Sequence, residues 1–118
     1  MPIPQFEENG LLPAGIHDCT LAEIAARFGI FQGNEQRPRL MAKLEAFFAE
    51  VRASGIVRAV IVDGSFVTGK RDPGDIDLVL VLPIEIGEDA ELLPTQYQVV
   101  SKRSVRRRFG FDLEPVRK

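Results

Sequence analysis

Cysteine, tryptophan and histidine are nearly missing from this chain of 118 residues, which holds one Cys, no Trp and one His. The single thiol, Cys19, excludes an intrachain disulfide framework and a cysteine-based zinc site, so thiol redox chemistry is not the expected function. His17 stands beside Asp18 and Cys19, but without a second imidazole that trio makes no ligand cluster, and a packed or capping histidine is expected. No apolar run reaches the roughly eighteen residues a membrane span needs. The opening MPIPQFEENGLLPAGIHD also lacks the basic, apolar and small-residue segments of a secretory signal. These absences lead to the expectation of a cytoplasmic protein with no membrane partner.

What is present is enough apolar material, 45% of 118 residues, for one modest core. A single domain over 1–118 is expected, with 1–18 as an irregular arm. The net charge of −2 hides an asymmetry: residues 1–100 carry 8 Lys and Arg against 15 Asp and Glu, and residues 101–118 carry 7 against 2. A general nucleic-acid binder shows basic excess over a whole face. Here the pattern implies a local positive patch near something anionic.

TLAEIAARFG has the capping-box spacing, Thr20 to Glu23, with Gly29 placed to end a short helix. A longer helix is predicted from about Glu35 to Ser54. Leu40, Met41, Leu44, Phe47, Phe48 and Val51 recur there at three- and four-residue steps, Pro38 fits the first turn, and Gly55 terminates. IVRAVIV and DIDLVLVL read as strands, the second stopped by Pro83; EIGEDAELLP is a surface excursion, and FGFDLEPV is a third strand with Asp112 opposite Phe111 and Leu113. Residues 95–108 are ambiguous, strand-like at YQVV and helical through the basic run Lys102, Arg103, Arg106, Arg107 and Arg108. That run reads first as a solvated face, and alternatively as an electrostatic funnel for a nucleotide or an acidic partner. The fold class is α/β in the α+β sense, a short mixed sheet backed by helices.

Two phosphate-handling patterns overlap at IVDGSFVTGKRDPGDIDLVLVL. Gly64 to Lys70 satisfies the P-loop spacing after a strand, but Arg71 stands where a hydroxyl should hold magnesium. Asp72, Pro73 and Gly74 are turn residues where a helix must start, with Gly74 suited to a positive φ. The other reading ends a strand at Gly64-Ser65 and opens the next with Asp75-Ile76-Asp77. Strand alternation then puts both carboxylates on one face with Cα atoms roughly 6.5 Å apart. Two such carboxylates repel unless a divalent cation lies beside them, and magnesium takes oxygen ligands from a few carboxylates plus substrate phosphates. Gly64 allows close approach to its backbone, Ser65 can donate to phosphate oxygens, and Asp112 is the nominee for a third carboxylate of a two-metal site. Lys70 and Arg71, between the turn and the acids, can neutralise phosphate or simply decorate a loop tip.

Asp63-Gly64-Ser65, a nine-residue spacer, Asp75-Ile76-Asp77 and Phe111-Asp112-Leu113 resemble the pattern of the nucleotidyltransferase superfamily related to DNA polymerase beta, especially its minimal bacterial members. Asp63 departs from the apolar residue commoner there. The resemblance covers residues 56–113. It implies that Gly64 and Ser65 hold a triphosphate, that Asp75 and Asp77 bind two Mg2+ ions (or Mn2+), and that Asp112 completes one ion's shell near the acceptor hydroxyl. It further implies transfer of a nucleoside monophosphate from an NTP, ATP first, to a protein hydroxyl such as that of a toxin partner, to an RNA end or to a small molecule. LLPAGIHDCTLAEIAARFG, NEQRPRL and DGSFVTGKRDPGDID also resemble small bacterial proteins assigned to that superfamily. The chain ends five residues past Leu113, so a homodimer or a partner protein is expected to complete the site. The rival expectation is a non-catalytic module of the same fold, either an antitoxin-like binder or a nucleotide sensor.

Overall fold

The structure, a computed structural model, describes residues 3–29, 35–71, 73–87 and 89–118. Helix α1, Leu21–Phe28, starts with the anticipated reciprocal cap: the Glu23 amide donates to Thr20 Oγ1 at 3.1 Å, and the Thr20 amide to Glu23 Oε1 at 2.8 Å. Gly29 ends it with a right-handed φ of −78°, not a left-handed one. Glycine is needed there for space, because a Cβ would stand 2.7 Å from the Ala25 carbonyl oxygen.

Helix α2, Gln36–Ser54, buries Leu40, Met41, Leu44, Phe47 and Val51 and stops at Gly55 with φ 70°. Phe48, at the shoulder of that stripe, is only partly buried. Each fully buried side chain of this size contributes about 1.5–3 kcal/mol.

Strand β1, Ala59–Asp63, begins three residues later than the β-branched run. A single 3-10 turn, Ser65–Val67, follows Gly64. Strand β2, Asp77–Leu82, ends before Pro83, and strand β3 is Asp112–Arg117. The order is β1-β2-β3, with β1 antiparallel and β3 parallel to β2.

A parallel neighbour requires a crossover, and helices α3, Pro94–Val100, and α4, Lys102–Phe109, supply it. Ser101 divides them, ending α3 and accepting from the Ser104 amide at 3.2 Å to cap α4. The strand-like YQVV is helical because Val99 drops into the core, fully buried beside Val105. Tertiary burial overrides β-propensity there.

The molecule is therefore a mixed α+β domain whose three-stranded sheet is backed by helices. Leu78, Leu80, Leu82 and Leu113 bury one face of the sheet. Strand alternation turns Asp77, Val79, Val81, Asp112 and Glu114 to the other. Before β1, the segment 3–19 folds alongside the sheet edge, tied at Gly69 N to Gly10 O (2.8 Å), with His17 Nε2 donating to the Pro13 carbonyl at 2.9 Å. Among the described residues no helix is long and apolar enough to cross a membrane.

Candidate active site

The register of the sheet assembles the acids. Asp63 at the end of β1 pairs with Asp77 at the start of β2, and Asp77 pairs with Asp112 at the start of β3. Three carboxylates thus stand abreast across all three strands. Asp75 precedes β2 instead of opening it, which corrects the expected strand start, and Ile76 between the two acids is driven into the core at 1% exposure. The alternation predicted for Asp75-Ile76-Asp77 nevertheless holds.

Asp77 is the least exposed of the four acids. Burial, followed by the carboxylates of Asp75, Asp112 and Asp63 and a hydrogen bond that protonated Asp77 donates to Asp112, raises it above the ordinary aspartate range. Such crowding is a standing demand for positive charge.

Asp75 moves the other way. Ser65 Oγ donates to Asp75 Oδ1, the Ser65 amide donates to the same oxygen at 3.2 Å, and these bonds, aided by the nearby charge of Lys70, hold Asp75 below the usual range. The Ser65 hydroxyl in turn accepts from the Gly74 and Asp75 amides at 3.2 and 3.4 Å. The donors expected to face a phosphate are directed onto Asp75.

Gly64 fixes this contact. Its φ of 94° and ψ of −177° form a region that only glycine occupies readily. A Cβ there would lie 3.1 Å from Asp77 N and 3.2 Å from Asp75 O. The missing side chain admits the entry to β2, the chain's own backbone, against the turn.

After Lys70 no helix forms: residues 73–76 run without one into β2, against a P-loop. Gly74 does not take the positive φ expected of it, and Asp72 of that proposed turn lies outside the described residues. Arg71 is exposed on this loop.

Asp112, on the predicted face, is held by Arg106 of α4 in an ion pair, with both side chains 63% exposed. One rung along, Lys102 Nζ reaches Glu114 at 3.0 Å. The helical spacing of the basic run therefore has a specific use: residues four apart on α4 meet residues two apart on β3. Arg108 spans to Glu50 of α2, 2.7 Å from Nη1 to Oε2. Among the described residues no three His, Cys, Asp or Glu side chains converge at metal-ligand spacing. Asp75 and Asp112 have each turned to another partner.

Sequence reasoning missed two residues. Asp63 completes the row, but register is invisible in one strand's sequence. Arg37 is the other, at 0% exposure. It donates to the carbonyls of Phe28 (3.2 Å), Phe66 (2.7 Å), Thr68 (2.9 Å) and Lys70, so one guanidinium fastens the loop after Gly64-Ser65 to the end of α1. A signal was present, since Arg37 lies three, four and seven residues before Leu40, Met41 and Leu44, on the buried stripe.

The fold and site define a small α+β domain with an acidic row at one end of its sheet. Over residues 4–118 the chain matches the profile described as a family of unknown function, DUF6932, and it belongs to that family. No curated protein and no solved structure matches it.

Proposed function

We propose that this protein is a metal-dependent nucleotidyltransferase, moving a nucleoside monophosphate from an NTP, ATP first, to a hydroxyl acceptor. The observation that supports this reading most is the register Asp63, Asp77, Asp112, with Asp75 beside it and the Gly64-Ser65 turn packed against the pair. The donors suit Mg2+ or Mn2+ in kind, being all carboxylate oxygen, and gathering them about one ion requires Asp75 to leave Ser65 and Asp112 to leave Arg106. Asp75, Asp77 and Asp112 would hold the metal, and Asp63 adds charge from the flank. Bound there, the metal would stabilise charge on the phosphates and favour ionisation of the attacking hydroxyl.

The chain's own part is alignment. Gly64 keeps the turn close to Asp75 and Asp77, Arg37 braces the loop behind it, and Lys70 brings a positive charge to the same edge. In the transfer, the acceptor oxygen bonds to the α-phosphorus and the bond from that phosphorus to the β-bridging oxygen breaks. Pyrophosphate departs, and the hydroxyl proton passes to a carboxylate or water.

A second reading, a non-catalytic module of this fold, draws on the engagement of Asp75 by Ser65 and of Asp112 by Arg106. Thermal unfolding with Mg2+ and each NTP, for the wild type and for Asp75→Asn with Asp77→Asn, tests binding: the midpoint rises for the wild type only. Mass spectrometry of co-expressed protein and RNA, seeking the gain of an AMP unit that the double variant abolishes, tests transfer. Nucleotide binding without any such gain sinks the transferase and leaves the sensor.

A further inference from the structure

The basic run of α4 and the acids of β3 border an open surface depression of about 440 Å³, lined by Lys102, Arg103, Arg106, Phe111, Asp112 and Glu114. Two of its three cations are neutralised within it, Lys102 by Glu114 and Arg106 by Asp112. We propose that this depression is a subsite for a phosphate-type anion, which becomes available when a divalent cation takes Asp112 and releases Arg106. The proposal rests on the acidic row as a cation site and not on nucleotidyl transfer itself.

Asp112 faces two competitors. In the free protein it is paired with Arg106 while also crowding Asp77. A cation that takes up the row leaves Arg106 without its partner, beside Arg103 and at the edge of the depression. Conversely, an anion that draws Arg106 away returns a carboxylate to the row. Each ligand removes the other's competitor, so their affinities must rise together and by the same factor. The ion pair is exposed, and opening it costs little, because surface pairs of this kind contribute roughly 0–1 kcal/mol. Arg106 thus binds the anion directly, and Lys102 and Arg103 complete the anion's surroundings.

Mn2+ binding followed by electron paramagnetic resonance, with and without sulfate as the phosphate surrogate at constant ionic strength, tests this in the whole chain. In the wild type sulfate tightens Mn2+ about fivefold, the lower end of ordinary coupling. In Arg106→Gln, Mn2+ binds more tightly without sulfate, and sulfate no longer alters it. Arg107→Gln removes the same charge from the same helix outside the depression and leaves the coupling intact. Sulfate without effect in the wild type, or an Arg107→Gln protein that behaves like Arg106→Gln, overturns the proposal by reducing Arg106 to a share of the general field.

A non-transferable ATP analogue at saturation separates the sources of the anion. It abolishes the sulfate effect if the nucleotide's phosphates fill the subsite, and preserves it if the acceptor's phosphate does. An analogue that fails to bind while sulfate and Mn2+ remain coupled refutes the nucleotide reading and upholds the subsite.

Discussion

Asp77 and Asp112 begin adjacent parallel strands as direct register partners, so the two carboxylates are set side by side by the hydrogen-bond ladder of the sheet itself. Asp63 flanks Asp77 from the antiparallel side. Burial first, and then the neighbouring carboxylates, raise Asp77, and the cost is measurable.

Replacing Asp77 by Asn should stabilise the metal-free protein. A carboxyl whose folded pKa is raised binds its proton more tightly folded than unfolded, so ionisation opposes folding above that raised value. The thermal midpoint of Asp77→Asn should exceed that of the wild type by about 2–3 °C at neutral pH. The gap should close as pH falls through the raised pKa of Asp77, where the wild type protonates. Mn2+ should raise the wild-type midpoint and leave that of the variant unchanged, as scanning calorimetry would record.

Ser65→Ala should act with the opposite pH sense. Ser65 holds Asp75 below its usual range, so that contact stabilises above the unfolded carboxylate pKa and fades as pH falls through the lowered folded value. The loss near neutrality should be about 1 kcal/mol, kept small by exposure, and should shrink in strong acid to the part owed to the Gly74 and Asp75 amides that bond to Ser65 Oγ. Urea unfolding of both proteins across that range would follow it.

Arg37→Met should be among the most damaging substitutions in the chain. It leaves four carbonyls without their shared donor, two of them buried contacts, and should cost about 3–5 kcal/mol. Arg37→Lys should recover only part of this, since an ammonium group cannot span the same four acceptors. Denaturant midpoints at unchanged slope are the measurement.

Gly64→Ala should cost about 1–3 kcal/mol from backbone conformation alone. Its Cβ would also press on Asp77 N and Asp75 O, so Mn2+ affinity should fall with it. A variant that loses stability but binds Mn2+ as the wild type does would show that the turn does not position the acids.

Much of the local structure is legible in the sequence because its causes are local. The Thr20-Glu23 box, the α2 stripe and the alternation of Asp75, Ile76 and Asp77 each need only neighbouring residues, and each forms as the spacing dictates. Register is not local. Nothing near Asp63 indicates that it will stand opposite Asp77, and nothing in KRSVRRRF reveals that residues 102 and 106 will meet residues 114 and 112. The strand-like YQVV misleads because its β-branched residues answer to the core above α3 and not to a ladder. Arg37 was readable as a break in an apolar stripe, but its four acceptors come from two segments that only the tertiary fold brings near.

The helices bury one face of the sheet, with α4 beside β3, while the carboxylates rise from the opposite face at the strand ends. Asp63, Asp75 and Asp112 are exposed there, so a visiting ion meets them directly. Encounter should therefore vary with ionic strength, and arrival is met by an exchange of partners, Asp75 leaving Ser65 and Asp112 leaving Arg106.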